Sequence, residues 1–175
     1  MPAQQATVTA KTTLLRTIEA KSPDYGPARA AAFGPDGKTV ALSGPHGDIR
    51  LIELPECAIR WHTKPRGYVP EHLTFSPNGK WLAAHGNQLQ LLDAESGDLL
   101  WAPENTFWYY NLTWSPDGRR FAAVHHRALN VYDVMTRTSS TWSTFDADVE
   151  VAGFDENGRL YALEQGRRLW RVDRP

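Results

Sequence analysis

His85 and His125 stand 40 residues apart, each eight residues before an acidic residue, Asp93 and Asp133. Gln165 holds the matching place before Asp173, and His46 lies one residue off it before Glu53. Imidazoles recurring at one position of a repeat could ring a metal ion. Neither a carboxylate nor a cysteine recurs with them, and loop tips of separate repeats seldom come within ligand distance of one ion. They therefore read as surface or loop-stabilising histidines, and no metal or other cofactor is expected. Gly37-Lys38-Thr39 resembles the end of a phosphate-binding loop, but that loop needs a glycine five residues earlier, where Ala32 stands. Asn111-Leu112-Thr113 matches the glycosylation acceptor pattern, yet it lies inside an expected strand. No Gly-x-Ser-x-Gly elbow and no His-Glu-x-x-His pair occurs, so the sequence offers catalysis no foothold.

The most informative anomaly is Phe107-Trp108-Tyr109-Tyr110, four consecutive aromatics that break the alternation of a half-buried strand. Tyr68 and Tyr25 hold corresponding places in earlier connections. Aromatics of this kind anchor interfaces, because they bury a large area with few rotors. Packing between repeats, or a seam between chains, is the competing role for them.

The elements that must position these residues repeat. Four segments open with a short apolar strand and a tight turn: Ala30–Gly37, Leu73–Gly79, Leu112–Gly118 and Val151–Gly158. The Pro-Asp-Gly and Pro-Asn-Gly turns of the first three preset φ at the first central position and, like the Glu-Asn-Gly of the fourth, accept positive φ at the close. A second strand follows, then a third ending at Glu53, Asp93, Asp133 or Asp173, three intervals of 40 residues. A fourth strand carries Trp61, Trp101 and Trp142 in the first three units. The fourth unit lacks one, and Thr13–Ile18, ahead of the first unit, has the matching pattern. Apolar runs of about five residues, without a helical stripe, make the chain all-β.

Composition bounds the rest. The chain has 175 residues, 41% of them hydrophobic, with formal net charge −1 and a single cysteine, Cys57. This is a globular composition, with no internal disulfide framework and no Cys-rich zinc site. Near-neutral charge removes the electrostatic reason to expect nucleic-acid or anionic-membrane binding. The arginines of the second half are interspersed with acids and read as a solvated surface. No apolar run approaches the roughly 20 residues of a membrane-spanning helix, and polar Met1–Lys21 has no signal-peptide core, so the chain reads as cytoplasmic.

From about Thr12 to Asp173 these units resemble the WD40 β-propeller family, most closely at Phe75-Ser-Pro-Asn-Gly-Lys80, Leu91-Leu92-Asp93 and Leu100-Trp101. The Trp-Asp dipeptide is degraded to Ile52-Glu53, Leu92-Asp93, Tyr132-Asp133 and Val172-Asp173. The Gly-His dipeptide is absent; Asp48 sits where the family's buried acid belongs, with no evident His partner. The resemblance implies a propeller of four four-stranded antiparallel blades, about 26–63, 68–103, 108–145 and 149–173. Strand 12–18 then completes the last blade, and 1–11 forms a flexible tail. Four such wedges close either as one ring or, with a second chain, as an eight-bladed twofold ring. The homodimer stands ahead of the monomer, and a portion of a longer propeller is a third possibility.

The function expected is a non-catalytic protein-interaction scaffold for a protein partner. It would bind through its loop face with Tyr25, Tyr68, His85, Phe107, Trp108 and Tyr109. One alternative is a small-molecule- or metal-binding enzyme like the propeller hydrolases and lactonases, using the central channel. Only Glu71, His72 and Glu150 stand near the inner strand starts for that role. A second alternative is a structural, self-assembling half-propeller or engineered fragment.

Overall fold

The structure is a computed structural model that describes residues 27–64, 69–104, 111–166 and 168–173. It is all-β over those residues. The first sheet runs in the order β1 (Ala30–Phe33), β2 (Thr39–Ser43), β3 (Ile49–Glu53) and β4 (Ala58–Thr63). The second repeats it with β5 (His72–Phe75), β6 (Trp81–His85), β7 (Leu89–Asp93) and β8 (Leu99–Trp101). The third has β9 (Asn111–Trp114), β10 (Arg120–His125), β11 (Ala128–Asp133) and β12 (Thr138–Thr144). Among the described residues the fourth has three strands, β13 (Val149–Phe154), β14 (Leu160–Glu164) and β15 (Arg168–Val172). All pairs are antiparallel.

The first turns of the second and third sheets follow one chemical rule. In the second sheet the Ser76 hydroxyl donates to Asn78 Oδ1 at 2.7 Å, while the Ser76 oxygen accepts from the Trp81 amide at 3.0 Å. Ser115 and Asp117 repeat this in the third, with the hydroxyl 2.6 Å from the carboxylate. Gly37, Gly79, Gly118 and Gly158 close the first turns of the four sheets at φ between 65° and 75°. Gly37-Lys38-Thr39 is therefore turn chemistry. Two of the acids at 40-residue intervals, Asp93 and Asp133, cap the turn between third and fourth strands. Asp93 Oδ1 accepts from the amides of Glu95 and Ser96 (2.8 and 3.0 Å), and Asp133 Oδ1 from Met135 and Thr136 (3.0 Å each).

The sheets pack face to face in series. One core joins the first and second sheets through Ala41, Ile49 and Leu51 against Leu73, Leu82 and Leu92. Ala83, Leu89 and Leu91 meet Trp114, Phe121 and Tyr132 at the next junction. Val124, Leu129 and Val131 meet Ala152, Leu160 and Val172 at the third. No such cluster joins the fourth sheet to the first among the described residues. On the outer face of the first sheet Val40 and Ile52 are buried, whereas Phe33 is 69% exposed; at the other end of the series Leu169 is 71% exposed.

The histidine alignment needs correction. His85 lies opposite Leu89, but in the third sheet it is Val124 that lies opposite the corresponding Leu129, and His125 pairs one step further out with Ala128. The second strand there is one residue longer, so equal sequence spacing does not make the two histidines equivalent. The expected tail 1–11 and strand 12–18 lie outside the described residues.

Candidate interaction surface

At one end of every sheet the first strand begins, the second turns into the third, and, in the first three sheets, the fourth strand ends. After Thr63, Trp101 and Thr144 the chain therefore leaves one sheet at this end, and at this end it enters the next at His72, Asn111 and Val149. Each second-to-third-strand turn holds the connection that reaches it. The Glu71 amide donates to the His85 carbonyl at 2.9 Å, and Gly86 lies so close that a Cβ there would stand 2.6 Å from the Val69 carbonyl oxygen. Ser43 Oγ donates to the Pro70 carbonyl at 2.8 Å and accepts from the Ala30 amide at 3.0 Å. On the third connection, Phe145 and Val149 donate to the carbonyls of Arg127 and His126, both at 2.8 Å.

Three polar groups complete this scaffold. Glu164 is buried, and its carboxylate accepts from the Ala147 amide at 2.8 Å and the Trp170 indole at 3.0 Å. Those two bonds, the Ala147 amide first, hold its pKa below the ordinary carboxylate value. Asn111 Oδ1 accepts from the Ala152 amide at 3.2 Å, tying the third sheet to the fourth. That is the structural work of the Asn-Leu-Thr segment. Asp48 is buried and accepts from Arg50 Nη2 at 2.7 Å, with His62 Nε2 at 3.6 Å. The imidazole that approaches Asp48 comes from the fourth strand of the same sheet, not from a Gly-His dipeptide.

His85 is only 3% exposed and stacks on His72 with ring centroids 4.7 Å apart. Burial, and secondarily the neighbouring His72, lower its pKa to about 4. It offers a partner almost no area. That burial corrects the expectation of a contact residue, and it is the His85 carbonyl, not the ring, that holds the Glu71 amide. His125 packs edge-on against His126 at 4.5 Å, and burial lowers its pKa too, with His126 adding to the effect. Around them the surface is exposed and mixed in sign: Glu71, His126, Arg127 and Asp148 all reach solvent. No cluster of three or more metal-ligating side chains occurs among the described residues. Tyr25, Tyr68, Phe107, Trp108 and Tyr109 lie outside the described residues.

Sequence reasoning did not single out Glu164, Asp148 or Ser43. Ser43 and Glu164 bond main-chain groups of the connections, the Pro70 carbonyl and the Ala147 amide, and Asp148 approaches His126 and Arg127 across the neighbouring turn, so none of the three belongs to a local motif. Asn111 did carry a signal, as an acceptor motif implausibly placed in a strand.

No family profile matches this sequence, and none of the curated proteins does. The fold is widely shared: 1431 solved chains match it, so fold alone selects no function. One is Kuenenia stuttgartiensis hydrazine synthase, at a TM-score of 0.70 and 16% identity, covering 90% of this chain and 49% of that one. The chain thus spans about half the length of that solved chain. At this identity the likeness is one of fold, and the four antiparallel sheets are consistent with a propeller-like arrangement. No helix among the described residues is long and apolar enough to cross a membrane.

Proposed function

We propose that this chain is a non-catalytic protein-interaction scaffold of the propeller type. Its recognition surface is the end of the sheets where the inter-sheet connections emerge, with Tyr25, Tyr68, Phe107, Trp108 and Tyr109 as aromatic anchors. The four sheets belong to a closed ring, in which strand 12–18 completes a fourth sheet as its outer edge. The observation that carries the reading is the repeated clamping of connections by the turns beside them, at Pro70, Glu71, Phe145 and Val149. Main-chain groups pinned in this way have little order left to lose on binding, and preorganised surfaces move little on association. The likeness to hydrazine synthase adds a fold and no reaction.

The test is an affinity capture with wild-type chain and with Trp108→Ala, both immobilised folded. The reading expects a protein retained by the wild type to fall at least tenfold with Trp108→Ala, while the melting temperature stays within about 2 °C. Unfolding of Trp108→Ala places that indole in the core and defeats the assignment. Equal retention by both chains defeats it as well.

A further inference from the structure

The repeat makes each sheet a template for the others, so an exposed residue can be judged against its structural equivalents. Opposite the second strand of each sheet, Ile49, Leu89 and Leu129 occupy one position of the third strand, and all three are 0% exposed. Leu169 occupies it in the fourth sheet, opposite Leu163, and is 71% exposed. Val151, on the first strand of the same face, is also exposed. At the other end of the series, Phe33 holds the place that Phe75, Trp114 and Phe154 hold in the later sheets, each paired to the second strand. Trp114 is buried there and the other two are half-buried, whereas Phe33 lies open, with Ala31 exposed beside it.

Every internal junction joins the Leu169-type face of one sheet to the Phe33-type face of the next. The two open faces are one of each type. They complement each other by the same rule that packs the three closed junctions, yet among the described residues no core cluster joins them. A Leu and a Phe left open together in apolar faces mark an interaction surface. We infer that the occupant is a second copy of this chain: two four-sheet arcs join head to tail, the Leu169 face of each covering the Phe33 face of the other. Two arcs give eight sheets, the upper end of the usual propeller range, and three would give twelve, beyond it. A head-to-tail contact repeated twice closes with twofold symmetry. Charge does not obstruct it. The nearest ions on the fourth face are neutralised locally, Arg171 by Asp173 at 3.1 Å, although Arg171 stands where Leu51, Leu91 and Val131 pack elsewhere.

This deepens the closed-ring part of the proposed function and is independent of the recognition surface. Trp108→Ala should abolish capture at unchanged mass, and the end-face variants should change mass with Trp108 intact. The experiment is sedimentation equilibrium of the full chain at about 20 μM. Wild type is expected at twice the 19.7 kDa chain mass. Phe33→Glu and Leu169→Glu, each placed on an open face, are expected at one chain mass with the wild-type circular dichroism spectrum retained. If either Glu variant fails to fold, Phe33→Ala and Leu169→Ala replace it, with at least a tenfold rise in the dimer dissociation constant expected. Wild type at one chain mass, or at more than two, overturns the inference. So does a dimer whose dissociation constant is unmoved by changes at both positions.

Discussion

Three residues spaced by 40 positions show how the repeat constrains single side chains. Cys57, Gly97 and Arg137 all adopt positive φ, at 57°, 79° and 55°, in the turn before the fourth strand. Only Gly97 is free of the left-handed penalty of roughly 1–2 kcal/mol. It is also the one whose absent side chain matters, because a Cβ there would stand 2.7 Å from the Trp61 ring. That indole donates to the Ala94 carbonyl at 3.1 Å and so clamps the second sheet to the first. Gly97→Ala should therefore cost about 2–3 kcal/mol in chemical unfolding, by combining the backbone penalty with displacement of a packed ring. Arg137→Gly removes the same backbone penalty but adds roughly 0.5–1 kcal/mol of unfolded-state entropy, so a gain of about 0.5 kcal/mol is expected. His85 sets a pH dependence. Its folded pKa of about 4 lies below the ordinary 6.5, so the unfolded chain binds the proton first. Stability is unaffected above pH 6.5, declines as the pH falls from 6.5 toward 4, and levels off below. The loss reaches about 3 kcal/mol at the bottom of that window. Thermal melts of His85→Gln across the same range should show a shallower slope.

At the scale of elements, the turns carry the specification. Asp93 and Asp133 each satisfy two turn amides. Replacing Asp93 by Ala should cost about 1 kcal/mol, a typical loss for a side-chain cap, and a denaturant titration would read it. This grammar was legible in the sequence, because Pro, Asp, Asn and Gly at fixed offsets have few other uses. Strand order and sheet number followed from it. Register at the other end was less legible. The longer β10 shifts Val124 into the place of His85, and a spacing of 40 cannot reveal one residue gained in a strand and lost between Asp93 and Trp114. The Asp48–His62 approach was hidden for a related reason, since its partners sit on adjacent strands and share no local motif. The burial of His85 was equally unreadable, because a polar residue at a strand end gives no sign of which side is covered.

At the scale of the whole molecule, three junctions are built and the two terminal faces match a fourth. Leu169 and Phe33 look unremarkable in the sequence and become informative only beside Leu129 and Trp114, their buried equivalents. In the inferred dimer these faces meet between two chains. A crystal structure of the full chain tests it most directly. Eight sheets about a twofold axis are expected, with Phe33 of one copy and Leu169 of the other buried in the same seam. A ring of four sheets closing on itself, with Phe33 and Leu169 of one chain buried together, would contradict it.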